Sequence, residues 1–277
     1  MLIDSFEARR ILEAYEEGRD SILAFFDLRF TQEQVNFRGG KIVIGEIVYE
    51  PEVLRKLAKN PAIFLVEDPP RIIAFFDKCY YKLEPIENTA PTLEIDGIRM
   101  HRTKHMTPLE DARHKVKLVD VAEGEDVLDI CTGLGYTAIE AYRKRARVIT
   151  IEKDSNVIDI AKYNPYSRDL FKGIEERKIT LFNEDASDTV KSFEADSFSV
   201  ILHDPPRFAL AGELYSESFY RELYRVLREG GRMLHYIGSP GSKYRGKDLI
   251  SGIQRRLDNC GFHTERTEDN ESILAYK

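Results

Sequence analysis

Four acidic residues each stand at or just beyond the end of an apolar run: Asp129, Glu152, Asp185 and Asp204. A carboxylate in such a place accepts hydrogen bonds from hydroxyl or amino groups of a bound molecule. Between the first two lies a turn with Gly133 and Gly135, followed by a helical pattern from Thr137. Glycine lets the backbone turn sharply and approach a ligand, having no Cβ to clash. The first amides of the next helix are unpaired and favour an anionic or strongly polar group. An acid roughly 20 residues after such a turn, here Glu152, suits both hydroxyls of a ribose. Asp185 stands where an adenine amino group would donate to it. The fourth run ends His203-Asp204-Pro-Pro-Arg-Phe208, which joins an acid to a rigid turn, a cation and an aromatic ring. His203 and His235 lie at or near two strand ends and are candidate proton acceptors near neutral pH.

The elements that must position these residues alternate. Strands are expected at 126–131, 147–151, 179–182, 199–203 and 232–237. Helices follow at 136–145, 156–163, 186–193, 216–227 and 247–259, and two last strands lie at 262–267 and 273–276. This alternation predicts an α/β, Rossmann-like sheet, mostly parallel, with an antiparallel last strand. In such sheets a ligand sits at the carboxyl ends of the strands, where the four acids lie. Residues 1–90 read as a small, mostly β domain with helices at 6–17 and 51–59. Residues 91–107 read as a linker and hairpin, and residues 108–277 as the cofactor-binding domain, opened by a helix at 108–117 after a Thr107–Glu110 capping box.

The order of these strand ends resembles a class I S-adenosylmethionine-dependent methyltransferase over residues 107–277. The whole chain also resembles a group of uncharacterised archaeal proteins predicted to be methyltransferases, which are similar in the Asp-Pro-Pro-Arg-Phe loop and the tyrosine-rich helix after it. The resemblance implies S-adenosyl-L-methionine as cofactor. Its methionine side would be held by Asp129, Cys131, Thr132, Gly133, Gly135, Tyr136 and Thr137. The ribose and adenine would meet Glu152, Lys153, Asp185 and Ala186, with Asp204 facing the reacting centre. The loop is similar to the Asp/Asn-Pro-Pro-aromatic loop of enzymes that methylate exocyclic amines. On that likeness Asp204 and Pro205 orient the target amine and Phe208 stacks on its base; apart from it, Arg207 reads as a partner for a carboxylate or phosphate of the acceptor or for an acid of its own loop, and His203 or His235 as a candidate base. Arg207, placed between Pro206 and Phe208, departs from that pattern. The implied function is direct in-line methylation of a nitrogen in RNA or protein.

Other readings fit less of the chain. A nicotinamide-binding domain expects a third glycine, and Ile139 stands there. Covalent C5 methylation of RNA needs a cysteine after the fifth strand, where Leu234–Gly238 offers none. An aminopropyltransferase of the spermidine-synthase type is similar in fold, has a small β-rich N-terminal region, and uses decarboxylated S-adenosylmethionine with acids that hold a cationic polyamine. Asp204 and the overall acidity agree with it, whereas that family's paired aspartates after strand four are replaced by His203-Asp204-Pro205. A non-enzymatic cofactor sensor would keep the fold without an acceptor channel.

Composition narrows the classes. A net charge of -7 over 277 residues argues against a uniformly basic nucleic-acid binder. Three widely spaced cysteines, Cys79, Cys131 and Cys260, give neither a zinc pattern nor a disulfide framework, and no metal site is expected. The absence of a long apolar run or a signal-type N-terminus leads to the expectation of a cytoplasmic protein with no membrane partner. High charge (32%) and the absence of Trp lean towards a heat-adapted organism. Arg143–Arg145 reads as solvated surface, and Gly238–Lys247 as a basic loop facing phosphates. Tyr215 is expected at a pocket mouth, Tyr220 and Tyr224 in the core, and His101, Lys104 and His105 in a lid or a basic linker.

Overall fold

The computed structural model describes residues 1–208, 210–238, 245–268 and 271–277, without the side chains of 245–248. They form two compact units: residues 1–109 with 159–166, and residues 110–158 with 167–277.

The first unit is built from short elements. These are β1 (Leu2–Asp4), α1 (Ser5–Glu16), β2 (Ser21–Phe26), β3 (Thr31–Arg38), β4 (Lys41–Ile44), β5 (Ile47–Tyr49), α2 (Pro51–Lys59), β6 (Ile63–Leu65), β7 (Arg71–Ile72), β8 (Ala74–Phe76), β9 (Tyr80–Glu84), β10 (Thr92–Ile95) and β11 (Ile98–Arg99). Asp4 caps α1 by accepting from the Glu7 amide, and Pro51 opens α2, so both helices start where the sequence supplies the stop-and-start chemistry. The strands form antiparallel sheets in the orders β1-β6-β7, β2-β3-β4-β5 and β11-β10-β9-β8. Ile3, Ile11, Phe26, Ile42, Ile44 and Leu54 fill the core beneath the helices. The β-rich character expected of the N-terminal region is observed.

The second unit runs α3 (Pro108–Leu118), β12 (Asp126–Ile130), α4 (Tyr136–Arg143), β13 (Arg147–Ile151), α5 (Ser155–Ala161), α6 (Arg168–Glu175), β14 (Ile179–Phe182), α7 (Ala186–Ser192), β15 (Phe198–His203), α8 (Glu217–Val226), β16 (Leu227–Tyr236), α9 (Arg245–Asn259), β17 (His263–Arg266) and β18 (Ser272–Tyr276). Among the described residues its sheet has the order β14-β13-β12-β15-β16-β18-β17. Pairing is parallel from β14 to β16 and antiparallel at β16–β18 and β18–β17. This is the Rossmann-like sheet read from the sequence. The order turns back between β12 and β15, where a ligand crevice forms in such sheets.

Successive side chains of a strand point to opposite faces, and that rule divides the core. Leu128, Ile130, Ile201 and Met233 pack on one face with residues of α7, α8 and α9. Val127, Val200, Leu202 and Leu234 pack on the other with residues of α3, α4 and α6. Helix α6 was not anticipated from the sequence. The missing side chain of Gly173 lets the helix lie on β14, because a Cβ at that position would stand 2.6 Å from Ile179 Cδ1. Strand β16 also starts earlier than expected, at Leu227, which pairs with Phe198 across a register shift. Among the described residues no helix is long and apolar enough to cross a membrane.

Candidate active site

The glycine turn joins β12 to α4 with departures from ordinary backbone geometry at three alternate positions. Cys131 (φ 72°), Gly133 (φ 56°) and Gly135 (φ 81°) all lie in the left-handed region. Gly135 caps α4, and the space over it belongs to the protein: a Cβ there would meet Leu170 Cδ2 at 2.7 Å. The turn is held to the next strand by Glu152. Its Oε2 accepts from the Gly133 amide at 2.9 Å and its Oε1 from the Asp154 amide at 3.0 Å. Burial raises the Glu152 carboxyl above its ordinary value, and these amide bonds oppose the rise. A partly buried carboxylate beside a glycine turn is an acceptor to which both hydroxyls of a ribose diol can donate.

Several residues expected to touch the cofactor lie beneath this turn instead. Asp129 is fully buried and accepts from Thr137 Oγ1 at 2.8 Å and Thr150 Oγ1 at 2.7 Å. Burial lifts its carboxyl to about 7, against the pull of those hydroxyls. Thr132 Oγ1 lies 2.6 Å from Thr150 Oγ1, and Tyr136 and the Ala186 methyl are buried. These side chains brace the turn, and the Asp129 carboxylate and the hydroxyls of Thr132, Thr137 and Thr150 are spent on one another. Asp185 caps α7 through Ser187, and its other oxygen pairs with Lys153 at 2.6 Å. Burial would raise its carboxyl, but Lys153 and Ser187 outweigh that and hold it low. An adenine amino group would therefore compete with Lys153. The Cys131 thiol is pushed up by burial and by Glu152, so it is no reactive thiolate.

At the end of β15 the strand alternation separates the histidines from Asp204. His203 and His235 are register partners on the face that holds α8. Both are fully buried, with ring centres 4.3 Å apart. His203 Nε2 bonds the Leu214 carbonyl at 3.0 Å, and His235 Nε2 lies 2.8 Å from the Tyr220 hydroxyl. Burial depresses His203 to about 4, and burial followed by the neighbouring His203 holds His235 well below its ordinary value. The expected base role is corrected: these are neutral core histidines behind the loop. Tyr215 is likewise buried rather than at a pocket mouth, and its hydroxyl donates to the Pro206 carbonyl at 2.9 Å. That bond fixes the loop and occupies one of the two proline carbonyls. Tyr220 is core, as expected. Pro205 is buried, whereas Arg207 and Phe208 are exposed. Phe208 stands edge-on to Tyr215 at 5.3 Å, and Arg207 forms no ion pair among the described residues.

Asp204 itself meets a partner that sequence spacing does not reveal. On α3, Asp111 and Lys115 are one turn apart and both are buried. Lys115 Nζ lies 2.7 Å from Asp111 Oδ2 and 2.6 Å from Asp204 Oδ2, and 3.9 Å from the centre of the Tyr236 ring. Burial on its own would drive the ammonium down, but the Asp204 and Asp111 carboxylates outweigh it and raise it above the ordinary lysine range. Lys115 therefore stays charged in a cage of two acids and one aromatic face. Asp204 keeps some exposure, 27% of its side chain, and among the described residues its Oδ1 takes no hydrogen bond.

The remaining sequence candidates lie elsewhere. Arg143 pairs with Glu140 and Asp169, and Arg145 with Glu123, as solvated surface charge. His101 lies 3.1 Å from Thr92 Oγ1 within the β10–β11 hairpin of the first unit. The basic loop at Gly238–Lys247 falls on residues 239–244 and on side chains outside those described.

Residues 94–265 match the spermine/spermidine synthase domain. The chain belongs to the spermine/spermidine synthase family. An uncharacterised protein of Methanocaldococcus jannaschii is 45% identical over 99% of this chain and 95% of its own length. Polyamine aminopropyltransferase 1 of Aquifex aeolicus is 25% identical over 64% of this chain, and the match spans 63% of that relative's length. In fold, spermidine synthase from Thermotoga maritima is similar with a TM-score of 0.54 at 17% identity, over 73% of this chain and 70% of that one. These matches overturn methyl transfer to RNA or protein as the leading reading, although the methyltransferase-like fold stands. Both chemistries share the glycine turn and the strand-end acids, so those features alone had not separated them. The enzyme class is a transferase of this family.

Proposed function

We propose that the chain is an aminopropyltransferase that uses decarboxylated S-adenosylmethionine as donor and a primary amine as acceptor. The observation that carries this is the partly exposed Asp204 carboxylate at the end of β15 in a spermine/spermidine synthase domain. Relatives named as polyamine aminopropyltransferases support it. Glu152 would take the ribose diol, and the Gly133–Gly135 turn would lie against the sulfonium side of the donor. Asp185 would meet the adenine once Lys153 gives way.

The donor carries its own leaving group. When bound, its sulfonium releases a neutral thioether as the propyl carbon–sulfur bond breaks with its electrons going to sulfur. A nitrogen–carbon bond forms, and the acceptor nitrogen must give up a proton. The protein's part is to place that nitrogen and receive its proton's hydrogen bond, which Asp204 Oδ1 is free to do. Buried neutral His203 and His235 take no part in the transfer.

The test is transfer from decarboxylated S-adenosylmethionine, and separately from S-adenosylmethionine, to 1,4-diaminobutane and spermidine, read by mass spectrometry. A mass gain of one aminopropyl group from the decarboxylated donor is expected. Methyl transfer, or no product from the decarboxylated donor with any primary amine, overturns the proposal.

A further inference from the structure

The cage around Lys115 has the composition of an alkylammonium site: two carboxylates and an aromatic face around a buried ammonium, with Asp204 partly open to solvent. The chain's own lysine fills it. A second ammonium arriving at Asp204 Oδ1 would stand within one carboxylate's width of the Lys115 charge. Like charges that close disfavour each other's protonated forms. A protonated amine cannot attack a sulfonium carbon, because its lone pair is engaged. We propose that Lys115 is a resident cation that biases the acceptor nitrogen bound at Asp204 towards its neutral, nucleophilic form, and so acts as a positioning and activating residue for aminopropyl transfer. This rests on the aminopropyltransferase reading above.

The groups facing the cluster come from four directions. Asp111 and Lys115 come from α3, Asp204 from the loop after β15, Tyr236 from β16 and Asp129 from β12. Tyr215 feels the Asp204 charge, and Glu271 acts on Tyr236 from the end before β18. Asp111, Lys115 and Asp204 sum to one negative charge. The acceptor is thus still attracted, but by one net charge rather than two. Removing the lysine charge leaves two acids that hold the acceptor as ammonium: binding tightens and reaction slows.

In the transfer, the acceptor's ammonium proton leaves through Asp204 to solvent, the neutral nitrogen forms its bond to the propyl carbon, and the thioether departs with the sulfur–carbon electrons. The cluster ends in its starting charge state, since alkylation of the neutral amine gives a secondary ammonium that keeps both of its protons.

The experiment compares wild type with Lys115→Met and with the double variant Asp111→Asn/Lys115→Met. The double variant keeps the net charge of the three-residue cluster and removes one of the two acids that the lysine faces, so it guards against loss of folding. At saturating 1,4-diaminobutane, kcat is measured from pH 6 to 10. Expected are a rise of kcat whose midpoint moves up by about one pH unit in both variants, a kcat at pH 7 lower by about ten-fold, recovery above pH 9, and an acceptor KM unchanged or lower. A uniform loss at every pH with an unmoved midpoint, or a raised KM with kcat intact, overturns the inference and makes Lys115 a structural residue. If the wild type itself transfers no aminopropyl group, the aminopropyltransferase reading fails and this one falls with it. Transfer by the wild type with unmoved midpoints sinks this inference alone.

Discussion

Lys115 and Asp204 are 89 residues apart in the chain and 2.6 Å apart in space, and the lysine's second contact is Asp111, one turn earlier on the same helix. The pair joins the element that opens the second unit to the loop that carries the candidate acceptor site. Its energetics and its chemistry can be separated by mutation.

Lys115→Ala removes the ammonium that lies against both Asp111 and Asp204. Breaking one partner of a buried pair costs about 3–5 kcal/mol. Urea unfolding is expected to show a loss of this size, with more than half regained in Asp111→Asn/Lys115→Met. Equal stability of Lys115→Ala and wild type would mean the charges are hydrated rather than buried.

Asp204→Asn keeps the shape of the side chain and removes its charge. Aminopropyl transfer is expected to drop by about 100-fold or more, within the range for a lost general-base contact, while donor affinity measured by calorimetry changes little. Retained transfer would remove Asp204 from the acceptor role.

Glu152 holds the glycine turn through the Gly133 amide as well as offering oxygens to a ribose. Glu152→Gln retains one acceptor oxygen, and Glu152→Ala retains none. Donor Kd is expected to rise by about ten-fold and about 100-fold respectively, on the order of 1.4 and 2.8 kcal/mol. Identical affinities across the three proteins would show that the carboxylate serves the turn only.

Gly135 lies at φ 81° with Leu170 against its open face. Gly135→Ala combines a strained backbone with a Cβ set 2.7 Å from Leu170 Cδ2. A loss of about 2–3 kcal/mol is expected, part of which returns when Leu170→Ala is added. Full additivity of the two substitutions would refute the clash.

Two buried groups titrate in opposite senses. His203 is depressed from 6.5 to about 4, so its contribution is present above pH 6.5 and is lost as pH falls through the folded value. Asp129 is raised from 3.8 to about 7, so its contribution is present below pH 3.8 and is lost as pH rises through 7. Between pH 4 and 6.5 the two slopes largely cancel in the wild type. Denaturant titrations over that window should show Asp129→Asn losing stability on acidification more steeply than wild type, and His203→Phe losing it on alkalinisation. Parallel pH profiles for all three proteins would contradict both assignments.

The sequence by itself determined the second unit's architecture. Its strand–helix alternation is local: apolar runs of Val, Ile and Leu bounded by turn residues specify β12 to β15 nearly residue for residue. The strand-end acids followed from that register. Helix α6 was not legible because Gly173 serves a packing contact that only the neighbouring β14 reveals. The roles of His203 and His235 were not legible either. A period of two says that they share a face, but not that this face is roofed by α8. The tertiary structure alone decided that Asp204 is paired. Nothing in the sequence near Asp204 announces Lys115, since a basic residue near a helix's C-terminal end reads as solvated charge until the fold buries it. A glycine turn and strand-end acids suit an adenosyl group whichever part of the donor is transferred, so they do not distinguish methyl from aminopropyl transfer. What surrounds Asp204 is set by contacts between segments far apart in the chain, which no local pattern encodes.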